Sequence, residues 1–229
     1  MDPPAPKAPS GAPRRAALRR TYDAVTDEYV RRIYNELDGK PLDRELLDRF
    51  AGCVREIGPV GDVGCGPGQV ARYLHDRGVT VVGIDLSDAM VAAARRLNPG
   101  IEFKQGDMTA LDLPDGTWAG IVCFYSIIHI PRDQVVAVLL ELCRLLRPGG
   151  LLLLTFHIGA EVVHRDEWWG HAVDVDFLMF EPDEMAGYLT VAGFEIEEII
   201  ERDPYPEVEH PSRRTYIFAR RPVASTAGA

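Results

Sequence analysis

The clearest indication of chemistry in this chain is a turn rich in glycine. An acid, Asp62, stands ahead of three glycines at alternate positions: Gly64, Gly66 and Gly68. Glycine has no Cβ atom, so a ligand can lie against the backbone where a strand turns into a helix. A second acid, Asp85, ends the next apolar run, about 20 residues further on, where a side chain can bond ribose hydroxyls. Together these features indicate a nucleoside cofactor.

The acid in front of the turn, Asp62, helps to distinguish a nucleoside ligand that carries a pyrophosphate from one that carries a positive charge. A dinucleotide turn reads G-x-G-x-x-G, and a phosphate-binding loop ends in Lys and Ser or Thr. This turn reads G-x-G-x-G, and no Lys follows it. A pyrophosphate favours a helix N-terminus without negative charge nearby, and Asp62 would oppose it. A ligand that carries a positive charge suits the turn better.

Four segments, taken in order, resemble the motifs of the class I S-adenosylmethionine-dependent methyltransferases. They are Asp62–Gly68, Gly83–Ser87, Gln105–Met108 and Leu146–Leu151. The resemblance covers roughly residues 60 to 156. It implies a methyl-transferring enzyme that uses S-adenosyl-L-methionine and releases S-adenosyl-L-homocysteine.

The resemblance also implies roles for three acids in holding that cofactor. Asp62 would organise the site near the methionine amino group, Asp85 would hold the ribose hydroxyls, and Asp107 would accept a hydrogen bond from the adenine amino group. Asp107 could instead only form a turn after its strand. The other cofactor residues implied are Tyr22, Tyr29, Gly64, Cys65, Gly66, Gly68, Leu86, Met90, Met108 and Tyr125.

Several of these positions have a plainer interpretation. Leu86 and Met90 would flank the adenine, and Met108 would offer a backbone amide beside Asp107. Both methionines could instead be plain core residues. Tyr22 and Tyr29 lie seven residues apart on one predicted helical face. They form either a lid over the cofactor or a stripe that packs on the sheet. Tyr125 could present its backbone to the cofactor or its side chain to the substrate.

Two histidines are candidate general bases. His129 and His157 each follow a predicted strand at its carboxyl end, which is the active edge of such sheets. An imidazole there suits removal of a proton from a hydroxyl or ammonium group near neutral pH. The alternatives are a cofactor contact for His129 and loop anchoring for His157.

A segment before the last predicted helix carries candidate substrate-binding residues. They are His164, Trp168, Trp169 and His171. A pair of indoles can stack on an aromatic or cationic substrate, or it can plug the space between a loop and the sheet. No H-x-x-x-H or paired-cysteine spacing predicts a metal site.

The elements that position these residues alternate strand and helix. Strands are predicted at 60–63, 79–84, 101–105, 118–127 and 151–156, with helices between them. This rhythm predicts an α/β fold, a doubly wound and mostly parallel sheet. Two final strands, 194–201 and 214–220, would complete seven strands, and the resemblance implies that they form an antiparallel hairpin.

Composition and spacing divide the chain into parts. Proline-rich residues 1–13 predict a disordered tail, and residues 14–56 predict N-terminal helices that cap the site. The resemblance implies that residues 57–222 form a methyltransferase core, with an irregular insertion predicted at 158–181, and residues 223–229 are expected to fray. Asp43 is expected to cap the second helix.

The overall charge bears on partners and location. The formal net charge is −10, which opposes nucleic-acid binding. No apolar run approaches the ~20 residues that span a membrane. The four cysteines form no C-x-x-C pair, which is typical of free thiols in a reducing compartment. The chain is therefore expected to be cytoplasmic. Its sequence predicts no particular oligomeric state.

The sequence thus favours methyl transfer to an oxygen or nitrogen of a small-molecule acceptor. One alternative is an RNA methyltransferase of the same fold, which needs a basic strip beside the cofactor. A second is a non-catalytic subunit that binds the cofactor and regulates a partner. A third, a nicotinamide-dependent oxidoreductase, is opposed by the glycine spacing.

Overall fold

The computed structural model describes residues 11–223, in which two N-terminal helices precede a region of nine strands and four further helices. The helices are α1 (Gly11–Ile33), α2 (Pro41–Val54), α3 (Gln69–His75), α4 (Asp88–Leu97), α5 (Arg132–Leu145) and α6 (Pro182–Val191). The strands are β1 (Val60–Val63), β2 (Val81–Asp85), β3 (Glu102–Gln105), β4 (Trp118–Phe124), β5 (Leu146–His157), β6 (Val162–Trp168), β7 (His171–Leu178), β8 (Glu195–Arg202) and β9 (Arg214–Arg220). Short 3-10 turns cover Glu36–Gly39 and Ile127–His129.

Seven of these strands form one sheet in the order β3-β2-β1-β4-β5-β9-β8. Strands β1 to β5 are parallel, and β9 lies antiparallel between β5 and β8. The predicted doubly wound sheet with an antiparallel C-terminal hairpin is therefore confirmed. The direction of winding changes between β1 and β4, and in such sheets this switch point opens a crevice at the carboxyl ends of the strands.

Strand β5 shows how the sheet is buried on both faces. Leu152 and Leu154 pack in one core with α5 and α6, whereas Leu151 and Leu153 pack in the other with α2 and α3. Successive side chains of a strand point to opposite faces, so a central strand covered on both sides must be apolar throughout. This burial fixes the positions of the strand ends that carry the site.

The segment 158–181, predicted to be irregular, instead contains a separate antiparallel pair, β6 and β7. Trp168 pairs with His171, so the turn between them has two residues. Trp169 and Gly170 both have positive φ, 54° and 85°, which is the type I′ geometry that Asn-Gly usually supplies. Sequence reasoning missed the hairpin because a Trp occupies the Asn position.

The N-terminal region also differs from its prediction. Helix α1 begins at Gly11, inside the predicted tail 1–13, while residues 1–10 and 224–229 lie outside the described residues. Asp43 does not cap α2; it is buried within that helix and ion-pairs with Arg202, 2.8 Å away. Across residues 11–223, no helix combines the length and apolar character needed to cross a bilayer.

Candidate functional site

Two adjoining cavities open at the carboxyl ends of the central strands. The first holds about 940 Å³ of non-protein space and the second about 2710 Å³, both figures including space open to solvent. The residues that line both cavities are Tyr22, Tyr29, Gly64, Gly66, Phe124 and Tyr125. A ligand in the first cavity would therefore border a ligand in the second.

The glycine turn after β1 separates the two cavities. Gly64, Gly66 and Gly68 all have positive φ, at 77°, 52° and 85°. A Cβ at Gly64 would lie 2.2 Å from Ser126 Cβ, so that position admits no side chain. A Cβ at Gly66 would meet only Tyr29 and Gln69, both at 3.8 Å or more. The open side of the turn thus faces the cavities at Gly66.

Asp85, at the end of β2, holds this turn against the sheet. Its Oδ2 accepts a hydrogen bond from the Gly66 backbone N–H at 2.8 Å, and its Oδ1 accepts one from Ser87 N–H at 2.9 Å. Burial raises the pKa of Asp85 to about 6, and these backbone hydrogen bonds partly oppose the rise. Its carboxylate lines the first cavity with acceptor capacity to spare.

Asp62, on β1, is buried and incompletely paired. Its Oδ2 has no hydrogen-bond partner within residues 11–223. Burial is the main cause that raises the pKa of Asp62 to about 7, and the Asp85 charge adds to it. A buried carboxylate oxygen without a donor is costly in free energy, so this atom is suited to a ligand donor.

The other cofactor residues implied by the sequence fall into three groups. Leu86, Asp107 and Met108 line the first cavity, whereas Cys65 lines the second. Met90 is fully buried in the core and lines neither cavity. Gly68 also lines neither; it caps the start of α3.

Helix α1 covers the first cavity and is fixed to its rim. Arg15 Nε lies 2.9 Å from Asp107 Oδ2, and Arg19 ion-pairs with Asp88. On the same rim, Ser87 Oγ donates to Asp23 Oδ1 at 2.6 Å. Sequence reasoning missed these partners, because a basic or acidic residue on a helix surface usually faces solvent.

A hydrogen-bonded chain joins α1 to the 3-10 turn after β4. His129 Nδ1 lies 3.1 Å from the backbone oxygen of Asp176, which only accepts, so Nδ1 carries the proton. In the neutral ring Nε2 then accepts from the Tyr22 hydroxyl at 2.7 Å. Burial lowers the pKa of His129 to about 4. Both ring nitrogens are therefore occupied, and the imidazole holds Tyr22 at the junction of the cavities.

His157, at the end of β5, has a different environment. Its Nδ1 lies 2.8 Å from Ser212 Oγ, and its Nε2 bonds to none of residues 11–223. The ring lies against Tyr125, with centroids 5.0 Å apart, and lines the second cavity. Burial, and then the charge of Arg214, lower the pKa of His157 to about 3. A neutral imidazole thus presents a free nitrogen beside the second cavity.

Backbone strain within the described residues is concentrated around the second cavity. The non-glycine residues with positive φ are Tyr125 at 52°, Trp169 at 54° and Glu207 at 63°. All three line this cavity. Left-handed backbone at bulky residues costs about 1 kcal/mol or more and tends to persist where it positions a functional side chain.

The predicted indole pair lies at the tip of the β6–β7 hairpin and packs on α1. The Trp168 and Trp169 centroids are 4.5 Å apart. Trp168 contacts Tyr22 and Tyr29 edge to face at 5.8 and 6.1 Å, and Arg32 lies 5.2 Å from the Trp169 ring. The aromatic residues thus join the two covers of the site, α1 and the hairpin.

The two histidines of this hairpin lie away from the cavities. His164 is 56% exposed and its Nδ1 lies 2.8 Å from Asp176 Oδ1. His171 is exposed, and neither histidine lines a cavity. The structure therefore brings together the tryptophans but not the histidines of the predicted substrate set.

A buried group of charged side chains forms part of the second cavity wall. Glu209 contacts Arg202, Arg214 Nε at 3.1 Å and Lys40 Nζ at 3.4 Å. Burial alone would raise the pKa of Glu209, but the Arg202 hydrogen bond and the neighbouring cations lower it to about 2. Sequence reasoning missed this group because its members come from distant parts of the chain. No cluster of three or more His, Cys, Asp and Glu side chains suited to a metal occurs within residues 11–223.

Comparisons with known proteins agree with this geometry. Residues 60–150 match the family described as "Methyltransferase domain". The chain is 35% identical over 126 residues to a malonyl-[acyl-carrier protein] O-methyltransferase of Enterobacter lignolyticus, covering 53% of this chain and 47% of that protein. It is 29% identical over 191 residues to a ubiquinone biosynthesis O-methyltransferase of Pseudomonas paraeruginosa, covering 76% and 79%. The chain thus spans about half the length of the first relative.

Solved structures share the fold. A complex described as DhpI–SAH has a TM-score of 0.73 at 24% identity, covering 93% of this chain and 99% of the other. A 1,6-didemethyltoxoflavin-N1-methyltransferase of Burkholderia thailandensis, solved with 1,6-didemethyltoxoflavin and S-adenosylhomocysteine, has a TM-score of 0.72 at 21% identity, covering 94% and 93%. At these identities the likeness describes the fold of this chain.

Proposed function

We propose that this chain is a class I S-adenosylmethionine-dependent methyltransferase that methylates an oxygen or nitrogen atom of a small molecule. The match of residues 60–150 to the methyltransferase-domain family and the fold shared with solved structures support this proposal. S-Adenosyl-L-methionine, when bound, supplies a methyl group that its positive sulfur has already activated for displacement. The protein's task is then to align two ligands, exclude water and accept a proton where the acceptor carries one.

The observation that carries the proposal is the junction of the two cavities. The first cavity has the glycine turn and Asp85 on its wall, and the second has the β6–β7 hairpin and His157. They meet at the six shared residues, where Tyr22 and Tyr29 of α1 close the gap. Two ligands held side by side are the geometric requirement for direct group transfer.

The residues of the first cavity fit the cofactor. The bare backbone at Gly66 allows close approach, and Asp85 keeps acceptor capacity for ribose hydroxyls. Asp62 lines the second cavity where it meets the glycine turn, and its unpaired Oδ2 suits an ammonium donor at the end of a cofactor that reaches this junction. The carboxylate of Asp107 is ion-paired with Arg15. Asp107 would accept a hydrogen bond from the adenine amino group only if Arg15 shares this carboxylate or releases it.

His157 is the better candidate for the proton acceptor. Its ring lines the second cavity, its Nε2 has no hydrogen-bond partner among residues 11–223, and its low pKa keeps the ring neutral across the physiological range. A weak base suffices if the proton leaves late, because the acceptor atom becomes strongly acidic as its new bond to carbon forms. We assign His129 a positioning role instead, because both of its nitrogens are hydrogen-bonded.

The two covers favour a small acceptor over a polymer. The second cavity is bounded by α1 and by the aromatic tip of the β6–β7 hairpin, which contact each other. The relatives named above act, by their names, on an acyl-carrier-bound malonyl group and in ubiquinone biosynthesis. We propose the cytoplasm as the location, since all four cysteines are unpaired as a reducing compartment would leave them.

Two measurements test the proposed function in sequence. S-Adenosylhomocysteine should raise the melting temperature of the protein by binding the folded state, and NAD should not. Purified protein should then release S-adenosylhomocysteine from S-adenosylmethionine in the presence of one member of a panel of phenols, carboxylic acids and amines. Absence of the thermal shift would refute the cofactor assignment. A shift without turnover on any acceptor would favour a cofactor-binding regulatory subunit.

A further inference from the structure

Two unpaired oxygen atoms lie beside the glycine turn, and only one of them has a role so far. Asp62 Oδ2 and Gln69 Oε1 are both buried and have no hydrogen-bond partner within residues 11–223. The residues are 1% and 7% exposed, and both line the second cavity where it meets the turn. Leaving one such atom unpaired costs about 1–3 kcal/mol, so a pair of them indicates a missing donor.

The orientation of the Gln69 amide is set by its neighbours. Its Nε2 donates to Glu36 Oε1 at 3.3 Å, so the carbonyl oxygen is the amide atom that is left without a partner among residues 11–223. Lys40 Nζ donates to the other oxygen, Glu36 Oε2, at 2.5 Å and also lies 3.4 Å from Glu209. A flipped amide would place its oxygen against the Glu36 carboxylate. These charges therefore hold Gln69 Oε1 toward the ligand space.

The local backbone explains why the side chain reaches the turn. Gly68, in the left-handed conformation, is the N-cap of α3, and Gln69 is the first helical residue. Gln69 Oε1 lies 3.9 Å from the position that a Cβ would take at Gly66. The carbonyl thus stands over the open side of the turn, on the wall that also carries Asp62.

The missing donor must satisfy two acceptors on the wall of one cavity, and one of them belongs to a carboxylate. A carboxylate or phosphate ligand would be repelled by Asp62, and a single hydroxyl donates only one hydrogen bond. A primary ammonium group has three N–H donors and a positive charge. We propose that Gln69 is a second ligand of the ammonium group on the cofactor's amino-acid tail, with Asp62 as the first. This inference rests on the proposed function, which makes that cofactor S-adenosylmethionine.

The test compares two probes that differ only in this tail. S-Adenosylhomocysteine carries the amino-acid group, whereas 5′-methylthioadenosine has a methyl group in its place. Gln69→Met keeps the side-chain length and removes the carbonyl. In calorimetric titrations the variant should bind S-adenosylhomocysteine at least tenfold more weakly than the wild type, because a hydrogen bond to a charged group is lost. Its affinity for 5′-methylthioadenosine should stay within about twofold.

The controls distinguish failure of the Gln69 proposal from failure of the proposed function. Glu45→Met introduces the same side chain at an exposed residue of α2 that lines neither cavity, and it should bind both probes as the wild type does. Unchanged S-adenosylhomocysteine affinity in Gln69→Met, or equal losses for both probes, would overturn the role of Gln69. Failure of the wild type to bind either probe would instead refute the proposed function. Thermal unfolding of unliganded Gln69→Met checks that the variant is folded.

Discussion

Asp85 is the side chain on which cofactor affinity should depend most directly, and Asp85→Asn is the sharpest way to remove its charge. A carboxylate offers about four acceptor positions. Two are used by the N–H groups of Gly66 and Ser87, which leaves two for ribose hydroxyls. Asparagine keeps one acceptor oxygen and turns an NH₂ group toward one of those backbone donors. The variant therefore loses charge-assisted bonds to the ligand while keeping the volume of the side chain.

The expected magnitude follows from those bonds. Two hydrogen bonds to a charged group are worth about 1.5–3 kcal/mol each, and a combined loss of about 3 kcal/mol weakens binding about 100-fold. At a ligand concentration of 100 times the wild-type Kd, binding stabilises the wild type by about 2.7 kcal/mol. The same concentration equals the Kd of the variant and gives about 0.4 kcal/mol.

Differential scanning fluorimetry with S-adenosylhomocysteine measures this difference. A chain of this size gains about 2–4 °C per kcal/mol, so the wild type should shift by about 5–11 °C and Asp85→Asn by about 1 °C. Asp112→Asn is a matched control, because Asp112 is exposed and lines neither cavity. Retention of the full shift in Asp85→Asn would refute the ribose assignment. A lost shift in Asp112→Asn would show that the assay reports general damage.

Other perturbations test the remaining parts of the site. Affinity for S-adenosylhomocysteine, measured by titration calorimetry, should fall about tenfold or more from pH 8 to pH 5. The reason is that Asp62 and Asp85, with pKa values of about 7 and 6, gain protons and lose their charge over this range. An affinity that does not change with pH would contradict this. The His157 pKa lies below its unfolded value of 6.5, so its neutral ring stabilises the fold above pH 6.5 and this contribution is lost as the pH falls. His157→Gln should therefore lose about 2 kcal/mol less of its free energy of unfolding than the wild type between pH 7.5 and pH 5, as measured by urea unfolding. Equal losses would refute the buried neutral state. Tyr22→Phe and His129→Asn should show a coupling of about 1 kcal/mol in a double-mutant cycle on unfolding, whereas additive effects would mean that their hydrogen bond is not formed.

The glycine turn and the parallel core were predictable because their signals are local. The bare turn and the acid after the next strand are read directly from neighbouring residues, and the apolar run of β4 indicates a strand buried on both faces. Asp62, Gly66 and Asp85 accordingly lie at the cavities, as the sequence predicts.

Partners that are distant in sequence were not predictable. Lys40 and Glu209 meet although 169 positions separate them, and no spacing rule connects such residues. The environment of a histidine is equally hidden: His129 has both nitrogens hydrogen-bonded, whereas His157 keeps one free. Gln69 follows the last glycine of the turn, so a polar first residue of the helix was the available signal for its role.

The N-terminal helix has a consequence for how ligands exchange. One end of α1 is fastened to the rim of the first cavity through Arg15 and Arg19, and its tyrosines are fastened to the hairpin through Trp168. We therefore expect release of the spent cofactor to break contacts that also shape the second cavity. Release of both products would then depend on one opening motion of α1 and the β6–β7 hairpin. We expect the rate of that motion to limit kcat.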